Sequence, residues 1–467
     1  MQGNFEKKQS NNALASISLL LVSAIMLGIS AAIVHPAVFA VLAGSSFIFY
    51  LFLRAPKLAL VLLLLFRVGF DGFIRQYRLF GDTAASINLL GLTNIAALLV
   101  SFFYFAIVRK KLPRYPFVTI YLVFLGIALT SGIKAEDPLL SIRGWTIVGS
   151  SLAIYTLTVS NFKDENSLGL LRTILSLSSV IPLSVGIYQI VAQSGNTMIS
   201  PGLNRIMGTL FHPSFFGMYL VILWPLLLYQ TWYSRKIGVR IFYLALLATA
   251  TLSIIMTYTR IAWLALLWSI FGVLLIFRRF KLLLAFGIIS TIIALYYSEP
   301  LIARFAEAFS FVEGRVVFAE YGSLAWRIDQ WRIAIRLFLE HPVLGVGWWN
   351  FPLYNPTHSP PHNDYLRVMT ELGIPGIICY LALIGYLMFW FTQAYLHLPK
   401  RSSEANFIGL VLISIGSFVI LCITDNPLGL PEVSWYLWAL IAIGVNTARY
   451  AIRERNYLSL QPQSQTP

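Results

Sequence analysis

The sequence predicts an all-α, polytopic integral membrane protein with about 12–14 transmembrane helices and one large loop on the outer face. Of its 467 residues, 58% are apolar and 11% are charged, whereas a soluble domain has about 45–50% and about 25%. The apolar residues are gathered in runs that approach the length needed to cross a bilayer. These observations exclude a soluble globular protein, a disordered chain and a coiled coil.

The apolar runs follow one another along most of the chain, and several are shorter than the about 20 residues of a full span. The first run has no small-residue cleavage pattern and is followed at once by the second, so we expect a first span rather than a removable signal peptide. The runs cover residues 12–33, 36–53, 57–70, 87–108, 116–133, 144–160, 168–193, 213–233, 241–258, 261–277, 282–298, 374–396, 405–424 and 434–450.

Basic residues between the runs predict the orientation. The net charge is +15, and because most basic residues lie between apolar runs we interpret it as a topology signal rather than as a nucleic-acid surface. Alternation from Lys7 and Lys8 inside places the main Lys and Arg clusters and both termini in the cytoplasm.

The same alternation divides the chain into four segments. We expect an N-terminal transmembrane helix bundle (1–298), a large outer loop with surface helices (299–362), C-terminal transmembrane helices (363–456) and a disordered tail (457–467).

The outer face carries arginine almost exclusively, with Lys134 as the exception. Topology does not require this choice, since Lys and Arg orient helices alike. Arginine offers a planar fork that binds phosphate through two hydrogen bonds. The pattern therefore indicates an anionic ligand, a phosphate or diphosphate, on the outer face. The alternative is that these arginines form surface ion pairs.

Part of the large loop is predicted to be a helix over 324–340, with Ser323 as its N-cap and Pro342 after its end. Ile328, Trp331, Ile335 and Phe338 share one apolar face. Its arginines, which we expect to face a cavity, are Arg327, Arg332 and Arg336. The alternative is an interfacial helix whose arginines contact lipid headgroups.

His362 follows Pro360 and Pro361, which force an extended entry into a helix. Gly373 and Gly376 are expected to break that helix before the next span. A histidine at this place has the acid–base chemistry of a general base, although a lone histidine is more often a structural hydrogen-bonding group. His358 lies four residues upstream, but the prolines prevent a shared helical face, so we expect no metal site.

Five other polar residues lie at outer span ends. Arg205 and His212 precede the 213–233 run, and Arg260 occupies a tight turn where a charge is costly without a partner or ligand. Asp425 and Glu432 lie at the outer end of the last two spans and could pair with these arginines. Arg67 and Arg172 lie near the ends of runs, and we expect both to snorkel to the surface.

These residues resemble the O-antigen ligase / O-antigen polymerase superfamily of bacterial envelope enzymes. The resemblance covers about residues 200–445. It is carried by Trp331 to Gly347, by His362-Asn363 followed after nine residues by Gly373-x-x-Gly376, by Arg205-x-x-Gly208 and by the Thr-x-Thr-Arg260 turn.

The resemblance implies a glycosyltransferase in the bacterial inner membrane that acts on the periplasmic face without metal or cofactor. Its partners would be an undecaprenyl diphosphate-linked glycan donor, a lipid or glycan acceptor and the lipid bilayer. His362 and Asn363 would be catalytic. Arg260 and an arginine of the loop helix would hold the diphosphate, and Arg205 would assist, with His212 and Asp425 in support. Which of Arg327, Arg332 and Arg336 takes this part stays open.

Three functions remain open at this point. A ligase and a polymerase of this superfamily differ in acceptor, and some cyanobacterial relatives are linked to bicarbonate transport. A transporter should carry charge at mid-membrane. Most runs here have uncharged centres and charged outer ends, which favours surface chemistry.

Overall fold

The chain folds as an all-helical, multi-pass membrane protein, as predicted. The computed structural model describes residues 50–51, 54–72, 78–80, 87–110, 114–195, 204–279, 281, 284 and 323–460. The α-helices are α1 (Pro56–Gly69), α2 (Leu89–Phe103), α3 (Val118–Ile133), α4 (Pro138–Asn161), α5 (Glu165–Leu177), α6 (Val180–Val191), α7 (Pro213–Tyr233), α8 (Ile237–Met256), α9 (Arg260–Ile276), α10 (Ser323–Glu340), α11 (Asp364–His397), α12 (Ser403–Leu421) and α13 (Pro431–Leu460).

Short elements complete the described fold. A π-helix (Tyr104–Arg109) continues α2, and two 3-10 turns lie at Phe351–Tyr354 and Pro427–Gly429. β1 (Arg78–Phe80) and β2 (Ile87–Asn88) pair antiparallel. This small ladder is a departure from the purely helical prediction.

Among the described residues, five helical segments are long and apolar enough to span a membrane: Glu165–Val191, Pro213–Tyr233, Ile237–Met256, Asp364–His397 and Ser403–Leu421. Three of the predicted runs lie almost entirely outside the described residues: 12–33, 36–53 and 282–298. The total of 12–14 spans and the orientation therefore stay predictions. So does the tail, although α13 continues to Leu460, past the predicted start at 457.

The centre of the bundle is α13, which packs against α1, α4, α5, α7 and α12. Hydrogen bonds join it to α4: Trp435 Nε1 donates to Ser150 Oγ at 2.7 Å, and Ser434 and Ser151 share a bond of 2.9 Å. Paired polar groups of this kind hold helices together where water is absent.

The two arginines that we expected to snorkel are instead buried in ion pairs. Arg67, 2% exposed, contacts the fully buried Glu432 at 3.2 Å and donates to Thr93 Oγ1 at 3.0 Å. Arg172 pairs with Glu165. A partner from a distant part of the chain makes the burial of Arg67 possible, so this side chain does not snorkel. Arg172 is also buried, but its partner Glu165 lies in the same helix and is 46% exposed.

The expected helix break occurs in α11 at Gly373, whose φ of 66° and ψ of −162° are non-helical. The break frees two carbonyl groups, and the turn after α10 uses them: Val346 N donates to Thr370 O and Gly347 N to Glu371 O. A Cβ at Gly345 would lie 2.3 Å from the Glu371 carbonyl carbon. The glycines of the sequence motif thus lock α10 onto α11.

Candidate functional site

Five segments that are distant in sequence meet at one end of the described bundle. They are the 204–212 loop, the turn between α8 and α9, the start of α10, the turn before α11 and the loop after α12. Each contributes a residue singled out from the sequence.

The 204–212 loop is held by Gln189 of α6. Its Oε1 accepts from Met207 N and Gly208 N, both at 2.9 Å, and its Nε2 donates to Gly208 O at 3.1 Å. Ile206 N donates to Met256 O at 3.3 Å, which fastens the loop to the end of α8. The two candidate site residues of this loop, Arg205 and His212, therefore start from a fixed backbone.

Arg205 is positioned by neutral oxygen atoms. Its Nε donates to Thr257 O at 2.9 Å, and a terminal nitrogen donates to Thr259 Oγ1 at 3.3 Å. These bonds orient the guanidinium without cancelling its charge. Burial lowers the pKa of Arg205, and the charges of Arg327 and Arg260 lower it further. That effect places the three arginines within electrostatic reach of one another.

Arg260 is the first residue of α9 and is exposed. It lies one residue after Thr259, so the same turn that holds Arg205 also presents Arg260. The two arginines therefore lie close together, and their common action on a ligand stays a prediction.

The helix predicted over 324–340 of the large loop is present as α10, which ends at Glu340 as predicted. Its buried face differs from the predicted stripe: Gln330, Ala334 and Leu337 are buried, whereas Ile335 is 45% exposed. Gln330 is buried because it hydrogen-bonds Asn355. The small Ala334 lets α11 approach, and its carbonyl accepts from Thr370 Oγ1 at 2.9 Å.

Because the buried face of α10 is not the predicted one, its three arginines have different surroundings. Arg327 turns toward the site, where its charge and that of Asp425 interact and burial lowers its pKa. Its buried Nε has no hydrogen-bond partner among the described residues. Arg332 is 59% exposed beside Asp329, and Arg336 is exposed. Arg327 is therefore the arginine of α10 that lies near the other site residues, and the cavity expected beside Arg332 and Arg336 stays a prediction.

His362 lies in the turn immediately before α11, with a φ of 49°. Its Nδ1 is 3.3 Å from Asp425 Oδ1. The Trp326 ring packs edge-on against the imidazole with centroids 5.1 Å apart. Trp331 Nε1 donates to Pro361 O at 3.0 Å. The start of α10 therefore holds the imidazole and its turn from one side, while Asp425 holds it from the other.

Asn363 is the N-cap of α11 rather than a free catalytic group. Its Oδ1 accepts from Leu366 N at 2.9 Å, and its Nδ2 donates to Ile423 O at 2.9 Å. Both ends of the amide are used by the backbone. These bonds support a positioning part for Asn363 next to His362, and the expected catalytic part stays a prediction.

Asp364, which we had not singled out, ties the His362 turn to the Asp425 loop. The buried carboxylate accepts from Asn426 Nδ2 at 3.0 Å and from Leu428 N at 2.8 Å. Its own N–H donates to Cys422 O at 2.9 Å. Since His362 and Asp425 flank these contacts, Asp364 sets the separation of the pair.

Asp425 determines which nitrogen of His362 is basic. Burial raises the pKa of Asp425, but the hydrogen bond and charge of His362, the charge of Arg327 and the N–H of Asn426 outweigh it, and the pKa lies below its usual value. An ionised carboxylate can only accept hydrogen bonds. His362 therefore donates through Nδ1–H, and in the neutral ring Nε2 carries the lone pair.

His212 has the opposite arrangement. It is the N-cap of α7, and its Nδ1 accepts from Ser214 N at 3.1 Å. Burial lowers the pKa of His212 to about 4; the charge of Asp425 opposes this shift, and those of Arg205, His362 and Arg327 add to it. The ring is neutral near pH 7, with its proton on Nε2.

The arrangement can bind an anion and remove a proton at one place. Arg205, Arg260 and Arg327 supply positive charge, and α7, α9 and α11 all begin here, with the positive ends of their dipoles at the site. His362 supplies a basic nitrogen oriented by a carboxylate, the geometry of a general base.

Sequence reasoning missed Gln189, Asp364 and Trp326. Each acts through partners far along the chain: Gln189 through Gly208, Asp364 through Leu428 and Trp326 through His362. Apart from the position of Asp364 directly after His362-Asn363, no local pattern marks them.

Comparisons with known proteins agree with the resemblance found in the sequence. Residues 244–381 match the family described as O-Antigen ligase. A protein of Rickettsia conorii named "Putative polysaccharide ligase" is 27% identical over 165 residues, which cover 32% of this chain and 40% of that relative. The chain therefore carries an O-antigen ligase family domain and is distantly homologous to that protein, of which it spans about two fifths. Arg260, Arg327 and His362 lie inside the matched segment.

Proposed function

We propose that this chain, with its O-antigen ligase family domain, transfers a glycan from an undecaprenyl diphosphate carrier to a lipid or glycan acceptor. The reaction would take place on the periplasmic face of the bacterial inner membrane and would need no metal. The observation that carries the proposal is the His362–Asp425 pair, 3.3 Å apart, beside the positive charge of Arg205, Arg260 and Arg327.

We assign removal of the acceptor proton to His362. Nε2 takes the proton of the acceptor hydroxyl as that oxygen attacks the anomeric carbon of the donor, and Asp425 stabilises the imidazolium that forms. Asn363 and Asp364 keep the pair in place. The imidazolium then returns its proton to water.

We assign stabilisation of the leaving diphosphate to the arginines. As the new C–O bond forms, the bond between the anomeric carbon and the diphosphate breaks, and the carrier diphosphate leaves with the bonding electrons. Arg205, Arg260 and Arg327 stabilise its negative charge, which is the part that a divalent cation plays in other phosphate chemistry. On α10 we assign this function to Arg327, since its charge reaches Arg205 and Arg260, whereas Arg332 and Arg336 are exposed.

The test is glycan profiling of a strain that lacks the gene, complemented with wild type or His362→Ala at matched protein level. Accumulation of long carrier-linked chains, reversed by wild type and not by His362→Ala, supports a ligase. Accumulation of single carrier-linked repeat units supports the polymerase of the same superfamily, which shares this chemistry. An unchanged profile in the deletion strain contradicts both and favours a transporter.

A further inference from the structure

We infer that His212 is a binding residue for the donor diphosphate and donates a hydrogen bond from Nε2 to an oxygen of the leaving group. The inference rests on the proposed function and deepens it. It assigns to the two histidines of the site opposite tasks, proton removal at the acceptor by His362 and hydrogen-bond donation at the leaving group by His212.

The orientation of the His212 ring follows from its partners. Ser214 N donates to Nδ1 at 3.1 Å, and the ring packs on Phe215 with centroids 5.3 Å apart. Because Nδ1 is an acceptor in this bond, the single proton of the neutral ring is on Nε2. Among the described residues, Nε2–H has no hydrogen-bond partner.

The surroundings of His212 are those of an anion site. The charged and titratable groups within electrostatic reach are Asp425, Arg205, His362 and Arg327, and the N-terminus of α7 begins at the next residue. Another permanent cation at this place would be repelled by the two arginines. A neutral imidazole adds a donor without adding charge, and it stays neutral while the leaving group departs.

Two substitutions distinguish the role of His212 as the N-cap of α7 from its proposed role as a hydrogen-bond donor to the ligand. His212→Asn keeps the cap, because asparagine is among the best N-cap residues, but it lacks an N–H at the place of Nε2. His212→Gln places an amide N–H close to that position and loses the favoured cap. Both are made in the full chain and reconstituted in phosphatidylcholine nanodiscs, so that no anionic headgroup competes.

The measurements are the dissociation constant of undecaprenyl diphosphate, the rate of glycan transfer and the melting temperature. We expect His212→Asn to bind undecaprenyl diphosphate about 10-fold more weakly than wild type and to transfer more slowly, with an unchanged melting temperature. His212→Gln should keep most of the binding and melt at a lower temperature.

Wild-type binding and transfer by His212→Asn would overturn the inference and leave His212 as a cap. Equal loss of binding in both variants would overturn it as well, since glutamine supplies the donor. If the wild-type chain itself neither binds undecaprenyl diphosphate nor transfers a glycan, the proposed function fails first, and the two failures are thereby distinguished.

Discussion

Arginines in two regions of this protein are held in different ways. Arg67 in α1 and Arg367 in α11 are buried and each contacts a buried carboxylate, Glu432 at 3.2 Å and Glu371 at 3.3 Å. Arg205 is held by a carbonyl and a hydroxyl oxygen at 2.9 and 3.3 Å. The first arrangement neutralises the charge of the guanidinium. The second fixes the position of the guanidinium and leaves its charge available to attract an anion.

Residue type alone therefore does not mark a binding site in this protein. The arginines that have a carboxylate of their own serve the fold: Arg67 connects α1 to α13, and Arg367 pairs with Glu371 within α11. Arg205 and Arg327 instead lie near other arginines and the His362–Asp425 pair. Four substitutions test this difference, in decreasing order of expected effect.

Glu432→Gln should lower the stability of the folded chain by about 3–5 kcal/mol, because it removes a buried carboxylate that neutralises the buried Arg67. Thermal unfolding in detergent measures the loss. The matched control is Asp329→Asn, which breaks the exposed pair with Arg332 and should cost less than about 1 kcal/mol. Equal melting temperatures for the two variants would contradict a structural role for the Arg67 pair.

Arg205→Ala should reduce the rate of glycan transfer by about 10²–10³-fold with a much smaller change in melting temperature than Glu432→Gln. The reason is that its partners are neutral oxygens and no carboxylate is left unpaired. Transfer per folded molecule is measured with undecaprenyl diphosphate-linked glycan. A stable variant with full activity would remove Arg205 from the site.

Lysine substitutions should separate the arginines of α10. Arg327→Lys keeps the charge and loses the bidentate fork, so we expect transfer to fall about tenfold. Arg332→Lys and Arg336→Lys should behave as wild type and serve as the controls. If all three variants retain full activity, diphosphate binding by this helix must be abandoned.

The smallest expected effect is on the pH dependence of stability. The pKa of His212 is about 4 in the folded chain, against an ordinary value of 6.5. Above pH 6.5 the imidazole is neutral in both states. Between pH 6.5 and about 4 only the unfolded state takes up this proton, so acidification favours unfolding. The melting temperature of His212→Gln should fall less steeply over that interval than that of wild type, and parallel curves would contradict the burial of a neutral ring.

Local chemistry explains what the sequence could predict. Some features determine the conformation of the residues next to them. They are the prolines before His362, the glycines after Glu371 and the apolar runs. The bounds of α10, the break at Gly373 and the position of His362 before a helix followed from them. The convergence of Arg205 and Arg260 was suggested by their common place at outer span ends.

Long-range partners explain what the sequence could not predict. Arg67 and Glu432 are 365 positions apart, and nothing near Arg67 indicates that it is paired rather than snorkelling. The face of α10 was mispredicted because Gln330 is buried against Asn355, a contact that apolar periodicity cannot indicate. The second bond of Asn363, from Nδ2 to Ile423 O, likewise reaches the loop after α12 and has no local signal.

The most direct test of the central claim is the transfer rate of purified His362→Asn in nanodiscs, with undecaprenyl diphosphate-linked glycan, an acceptor and EDTA. Asparagine tolerates the positive φ of this position and cannot act as the base. We predict that wild type transfers at the same rate with and without EDTA, and that His362→Asn transfers at least about 10²-fold more slowly while binding undecaprenyl diphosphate as wild type does. A His362→Asn rate equal to wild type, or a wild-type rate abolished by EDTA, would contradict the account.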